Sequence, residues 1–142
     1  MRIIIAEAGV EYKTASERKI CSPADVTGAM ADMTGSLTEQ FCALYLNTKN
    51  GLIAAEILTS GLVGECSVHP REVFRPAILR AAAAVILVHN HPSGDSQPSS
   101  EDLKITRQLV EAGKVIGIKV LDHIILGDGK FLSMREEGLV EF

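Results

Sequence analysis

The sequence predicts one α/β (α+β) domain in which a single mixed β-sheet is flanked by helices. Apolar runs typical of buried strands recur along the chain, capping patterns introduce segments with helical spacing, and glycine-containing turns separate neighbouring strands. The length of 142 residues suits one domain rather than two.

Residues 1–20 are expected to form an N-terminal arm or an edge strand, and residues 21–142 to form the domain. The apolar run at residues 3–6 is broken by Glu7, too early for the core of a signal peptide. No segment approaches the roughly 20 apolar residues of a membrane span. The three cysteines include no CxxC pair, which favours a reducing compartment. We therefore expect a cytoplasmic protein.

The first helix is predicted to begin after Ser22, where Pro23 and Asp25 complete a start signal. Apolar residues continue at helical spacing to Met33, and Gly35 is expected to end the helix.

A strand hairpin is predicted next. Residues 41–46 form an apolar run, Asn50-Gly51 is a strong turn signal, and residues 52–59 form the returning strand. Residues 61–68 are expected to continue in extended conformation.

A second helix is predicted from His69 to about residue 82, with Pro76 implying a kink or a late start. Residues 83–88 are a continuous apolar run, as in a central strand, and residues 89–98 form a polar loop.

Residues 99–102 form another capping box, and the helix that follows is expected to close at Gly113. Residues 115–126 and 130–134 are predicted strands, joined by a turn at residues 127–129.

The chemistry is expected in the polar loop that follows the central strand, where open α/β sheets place their sites. Residues two apart in extended chain point to the same side, so His89 and His91 can face one point. With Asp102 they would give three zinc ligands and leave a fourth position for water, as in catalytic zinc sites. Alternatively, the histidines hydrogen-bond around a turn and Asp102 only caps a helix.

This run resembles the metal-binding signature of the JAMM/MPN+ metalloproteases: His-x-His-Pro at residues 89–92, six residues, then Ser-x-x-Asp at residues 99–102. Residues 69–72, 89–94, 98–99 and 121–123 further resemble the RadC branch of that family, in a short stand-alone form. The resemblance covers roughly residues 22–140. It implies a mixed sheet flanked by helices, similar to that of the cytidine deaminases.

The resemblance also implies the site. His89, His91 and Asp102 would hold one zinc ion per chain. Ser99 would hydrogen-bond the oxyanion that forms when water attacks a carbonyl, and its simpler role is to cap the helix.

An upstream glutamate acts as general base in the family. Glu39 is the best match, because it is expected to end the first helical region two residues before the strand that starts at Phe41. Glu56 and Glu65 compete with it on sequence alone.

Other residues have weaker claims. His123 and His69 are candidates to support the ligands from behind, although His69 also suits a helix cap. Cys66 could complete a closed zinc site. A modest basic patch could be formed by Arg71, Arg75 and Arg80.

The leading hypothesis is a zinc-dependent metallohydrolase, a peptidase or isopeptidase acting on a peptide or protein substrate. The alternative is a DNA repair-associated accessory protein that binds DNA or a repair partner without hydrolysis. A zinc-bearing scaffold without activity is a third hypothesis. A net charge of −4, a pI near 5.5 and the lack of a helix-hairpin-helix-like region argue against direct nucleic-acid binding. The polar arm and exposed edges would permit a homodimer.

Overall fold

The computed structural model describes residues 18–33, 36–61 and 68–142. Its helices and strands are α1 (Pro23–Ala29), a short 3₁₀ helix (Ala31–Met33), β1 (Glu39–Leu46), β2 (Leu52–Gly61), α2 (Pro70–Leu79), β3 (Ala84–Asn90), α3 (Ser100–Ile116), β4 (Lys119–Leu126) and β5 (Phe131–Ser133).

The five strands form one mixed sheet in the order β2-β1-β3-β4-β5. Strands β3 and β4 are parallel and are joined by α3, whereas the other neighbouring pairs are antiparallel. This arrangement confirms the predicted fold class.

Helices cover both faces of the sheet. One core lies between the sheet and helices α2 and α3, where Tyr45, Phe74 and Leu109 are buried. The second core lies against α1, where Val26 packs with Leu44. The strands alternate between these two cores, so successive side chains of β1 and β3 enter different layers.

The first helix starts as predicted. The Ser22 Oγ accepts a hydrogen bond from the Asp25 N–H, and the Asp25 carboxylate accepts one from the Ser22 N–H at 2.9 Å. The α-helix ends at Ala29, before the 3₁₀ turn. The expected terminator Gly35, most of the N-terminal arm and residues 62–67 lie outside the described residues.

Strands β1 and β3 extend further than predicted, and both extensions reach the site. Strand β1 begins at Glu39, which pairs with Gly61 of β2. The expectation that Glu39 ends a helical region was therefore wrong. Strand β3 continues through Asn90, because pairing with β4 extends to Leu126. His89 consequently lies on a strand rather than in the loop.

The predicted ends of α2 and α3 were wrong. Helix α2 runs through Pro76 without a late start and ends before Ala81, whose φ is 51°. Helix α3 passes through Gly113 to the left-handed Gly117, so residues 115 and 116 are helical rather than part of a strand. Gly113 serves close packing instead: a Cβ there would lie 2.5 Å from the Ile118 carbonyl oxygen.

None of the helices in the described ranges is both long enough and apolar enough to cross a membrane.

Candidate metal centre

The start of β1, the end of β3 and the first turn of α3 meet at one edge of the sheet. Strand β3 leads through the loop at residues 91–99 into α3, which returns the chain to the parallel strand β4. Polar side chains at the carboxyl end of β3 therefore face the amino terminus of α3, the usual place of sites in open α/β sheets.

Glu39, His89 and His91 form a cluster at this edge that could hold a metal ion. Their ligand atoms all lie within 4.8 Å of one another. The Glu39 Oε1 lies 2.5 Å from the His89 Nε2. Glu39 and His89 are only 6% and 2% exposed, so the cluster is largely shielded from bulk water.

Asp102 contacts both histidines from the first turn of α3. Its Oδ1 lies 3.2 Å from the His89 Nδ1, and its Oδ2 lies 3.1 Å from the His91 Nε2. Burial by itself raises the pKa of Asp102, but its close contacts with the two imidazoles outweigh burial and hold that pKa well below its usual range. Asp102 is therefore a carboxylate at neutral pH.

His91 is held in place by the loop that follows it. Its Nδ1 lies 2.7 Å from the Asp95 carbonyl oxygen, which only a protonated nitrogen can contact favourably. The other nitrogen, Nε2, faces Asp102, and the hydrogen bond to that carboxylate raises the pKa of His91. A backbone carbonyl that fixes one imidazole nitrogen and leaves the other for a ligand is typical of metal-binding histidines.

Ser99 is the N-cap of α3, as its simpler role predicted. Its Oγ accepts a hydrogen bond from the Asp102 N–H at 3.1 Å, and the Asp102 Oδ2 accepts one from the Ser99 N–H at 2.8 Å. The capping box thus orients the same carboxylate that contacts the two histidines.

His123 lies beside the centre, fully buried on β4. The Thr106 hydroxyl donates to the Asp102 carbonyl oxygen at 2.6 Å and lies 2.5 Å from the His123 Nδ1. This chain ties His123 to the first turn of α3. Burial lowers the pKa of His123 to about 3, so its ring is neutral.

The remaining candidates lie elsewhere. His69 is exposed at the N-cap of α2, where its N–H donates to Glu72. Glu56 forms an ion pair with Arg80, so one member of the expected basic patch is paired with a carboxylate. Arg71 and Arg75 are exposed on α2, whereas Glu65 and Cys66 lie outside the described residues.

The donor set fits a divalent transition metal. Imidazole nitrogens and carboxylate oxygens are the ligands of catalytic zinc sites, and those of this cluster converge from three elements of the fold. The negative charge of the two buried carboxyl groups would also offset the charge of a cation.

Sequence reasoning missed two supporting residues, Thr106 and Asn90. Thr106 could have been found, because it lies one helical turn after Asp102 on the same face. Asn90 bonds to the backbone of β1, and only the pairing of β1 with β3 brings these groups together.

Comparison with known proteins identifies the family. Residues 20–139 match the family model described as RadC-like JAB domain. The chain is 51% identical over 125 residues to a UPF0758 protein of Methanosarcina acetivorans, covering 87% of this chain and 55% of that relative. A UPF0758 protein of Desulforamulus reducens is 54% identical over 119 residues, covering 83% of this chain and 52% of the relative. One of Bacillus cereus is 52% identical over 130 residues, covering 91% and 57%.

The chain spans about half the length of these curated relatives. The family match covers most of the chain, and it includes every residue of the candidate metal centre. The chain belongs to the RadC-like JAB domain family.

Proposed function

We propose that this chain is a zinc-dependent hydrolase that cleaves an amide bond in a peptide or an isopeptide-linked protein. One observation carries the proposal: a buried glutamate reaches the same point as two histidines, and a helix-capping aspartate contacts both imidazoles. Imidazoles and carboxylates grouped around one point are the parts that a hydrolytic metal site needs.

His89, His91 and Asp102 would hold the ion, leaving one coordination position open. When bound, zinc supplies Lewis-acid polarisation of a carbonyl oxygen and lowers the pKa of water to about 7. The Asp95 carbonyl and the Ser99 N–H orient His91 and Asp102 for this task.

Glu39 would act as the general base. Its Oε1 takes a proton from the attacking water and delivers it to the nitrogen of the leaving amine. Its position supports this role, because Glu39 is buried at the start of β1 and its Oε1 lies 2.5 Å from the His89 Nε2, beside the residues that would hold the ion.

Ser99 would stabilise the oxyanion. Its Oγ accepts from the Asp102 N–H, which leaves the hydroxyl proton available to a substrate oxygen. The side chain is exposed at the amino terminus of α3, where the helix dipole also favours negative charge.

The test compares the wild-type protein with two variants, Glu39→Gln and Glu56→Gln. The second variant is the control and removes a carboxylate of the neighbouring strand. Zinc-loaded proteins are assayed on two quenched fluorescent libraries, one of linear peptides and one of lysine-linked isopeptides. Zinc content is measured by mass spectrometry. We expect one zinc per chain in all three proteins, and a loss of about 10²–10⁴-fold in kcat in Glu39→Gln alone.

The negative results of this experiment contradict different parts of the proposal. Full activity in Glu39→Gln would show that another group is the base. Failure of the zinc-loaded wild-type protein to cleave either library would contradict the hydrolase proposal, and a zinc content near zero would contradict the metal site.

A further inference from the structure

Asn90 lies between the two histidines of the metal centre, and its side chain contacts the strand that carries Glu39. It is the last residue of β3 and is 2% exposed. The Asn90 Oδ1 accepts a hydrogen bond from the Gln40 N–H at 2.6 Å, and its Nδ2 donates to the Thr38 carbonyl oxygen at 3.0 Å. These two backbone groups flank Glu39 on either side.

The bonds of Asn90 begin where the regular pairing of β1 and β3 ends. The antiparallel register runs from Leu46↔Ala84 to Phe41↔His89 and goes no further. Continued pairing would set Glu39 opposite His91, with their Cβ atoms only about 4.5–5.5 Å apart.

A side-chain amide has the same donor and acceptor as a peptide group. The side chain of Asn90 therefore forms the backbone hydrogen bonds that a main-chain partner would form if the pairing of β1 with β3 continued. It holds the backbone at Gln40 of β1 and at Thr38 just before β1, on either side of Glu39.

We infer that Asn90 is a positioning residue that sets Glu39 against the histidine pair by clamping the backbone on both sides of it. The inference rests on the proposed function for the role of Glu39 as the base. Asn90 itself neither touches the substrate nor holds the metal. Its removal would let β1 shift, and a displacement of about 1 Å at a catalytic group costs on the order of 10²-fold in rate.

The matched control is Asn47, at the other end of the same strand. Its side chain likewise makes two hydrogen bonds to the backbone, but its Oδ1 accepts both, from the Lys49 N–H at 2.9 Å and the Gly51 N–H at 2.8 Å. Asn47→Ala thus removes a similar set of bonds from the β1–β2 turn, away from the metal centre.

The experiment measures Asn90→Ala, Asn47→Ala, Glu39→Gln and the double variant Asn90→Ala/Glu39→Gln. We expect Asn90→Ala to retain one zinc per chain and an unchanged KM, with kcat reduced about 10²-fold, and Asn47→Ala to stay within about twofold of wild type. In the Glu39→Gln background, Asn90→Ala should lower kcat no further, because it acts through Glu39. A purely structural role would lower kcat by the same factor in both backgrounds and would overturn the inference.

Two readouts do not depend on hydrolysis. Amide hydrogen exchange at Gln40 should accelerate in Asn90→Ala but not in Asn47→Ala. The absorption spectrum of the cobalt(II)-loaded protein should change in the same sense in Asn90→Ala and in Glu39→Gln, because both alter the carboxylate beside the ion. If the wild-type protein cleaves neither library, the proposed function fails, but these two readouts still test whether Asn90 positions Glu39. Cobalt spectra and Gln40 exchange that are the same in Asn90→Ala and Asn47→Ala would overturn the inference.

Discussion

His91 and His123 differ in the protonation state that their surroundings favour. The carboxylate of Asp102 raises the pKa of His91, whereas burial lowers the pKa of His123 to about 3. His123 therefore stays neutral, with its Nδ1 against the Thr106 hydroxyl. A neutral, fully buried ring adds no positive charge that would repel a bound cation, which suits a residue that supports the site from behind.

The lowered pKa of His123 predicts a pH dependence of stability. The unfolded chain takes up a proton as the pH falls through 6.5, but the folded chain does so only near pH 3. Because the unfolded state binds more protons at this residue in this window, the contribution of His123 to the free energy of unfolding should fall as the pH falls, by about 2 kcal/mol at pH 5. Urea unfolding of the metal-free protein at pH 7.5 and at pH 5 measures this change in the free energy of unfolding.

His123→Asn, which keeps a donor for Thr106, should lose this contribution. The control, His69→Asn, removes an exposed imidazole and should keep the wild-type pH dependence. An equal pH dependence in wild type and His123→Asn would contradict the assignment.

At the scale of elements, the same kind of capping box begins both α1 and α3, but it has an additional role at α3. Ser22 and Asp25 begin α1, and Ser99 and Asp102 begin α3, with the same reciprocal hydrogen bonds. Only the carboxylate at α3 also contacts the histidines. Both boxes could be predicted from local sequence, because their bonds join residues three apart.

The two caps give a matched pair of variants. Ser22→Ala and Ser99→Ala should each lower the free energy of unfolding by about 1 kcal/mol, since each removes one side-chain cap. Only Ser99→Ala should also lower kcat, by about 10²–10³-fold, if its hydroxyl stabilises the oxyanion. Chemical denaturation and library hydrolysis are measured on the same preparations. An unchanged kcat in Ser99→Ala would show that Ser99 caps α3 but does not stabilise the oxyanion.

Element ends were harder to predict than element starts. Gly113 has the sequence character of a helix terminator, yet α3 continues past it, because the glycine admits the Ile118 carbonyl oxygen. Likewise, β1 and β3 gain residues from their neighbours, through Glu39↔Gly61 and Asn90↔Leu126. Local signals do not report such contacts, which arise only when distant segments pack.

For the whole molecule, the metal centre is a junction between separate parts of the fold. His89 comes from β3 and Asp102 from α3, and Glu39 of β1 contacts His89, so an ion held by the histidines and Asp102 would bring together elements that are distant in sequence. The contacts between His89 and Glu39 span 50 positions in sequence. A ligand that binds only the folded state stabilises all of them together.

Zinc should therefore stabilise the protein against unfolding. At a free zinc concentration 100 times the Kd, the gain is about 2.7 kcal/mol. For a chain of this size, that corresponds to a rise in Tm of roughly 5–15 °C. Calorimetry with and without a chelator measures it. His91→Ala should lose most of the gain and His69→Ala should retain it; an equal rise in both variants would place the ion elsewhere.

Local pattern alone was enough for the mixed sheet with its helices, the capping boxes, and the grouping of His89 with His91, because alternation and capping act over a few residues. The backbone pairing across β1, β3 and β4 decided the rest: it carried Glu39 onto a strand, brought its carboxylate to the imidazoles and gave Asn90 its two partners. Side chains some 50 positions apart meet only after the sheet has formed, and the register of its strands, set by packing on both faces, determines which of them face each other.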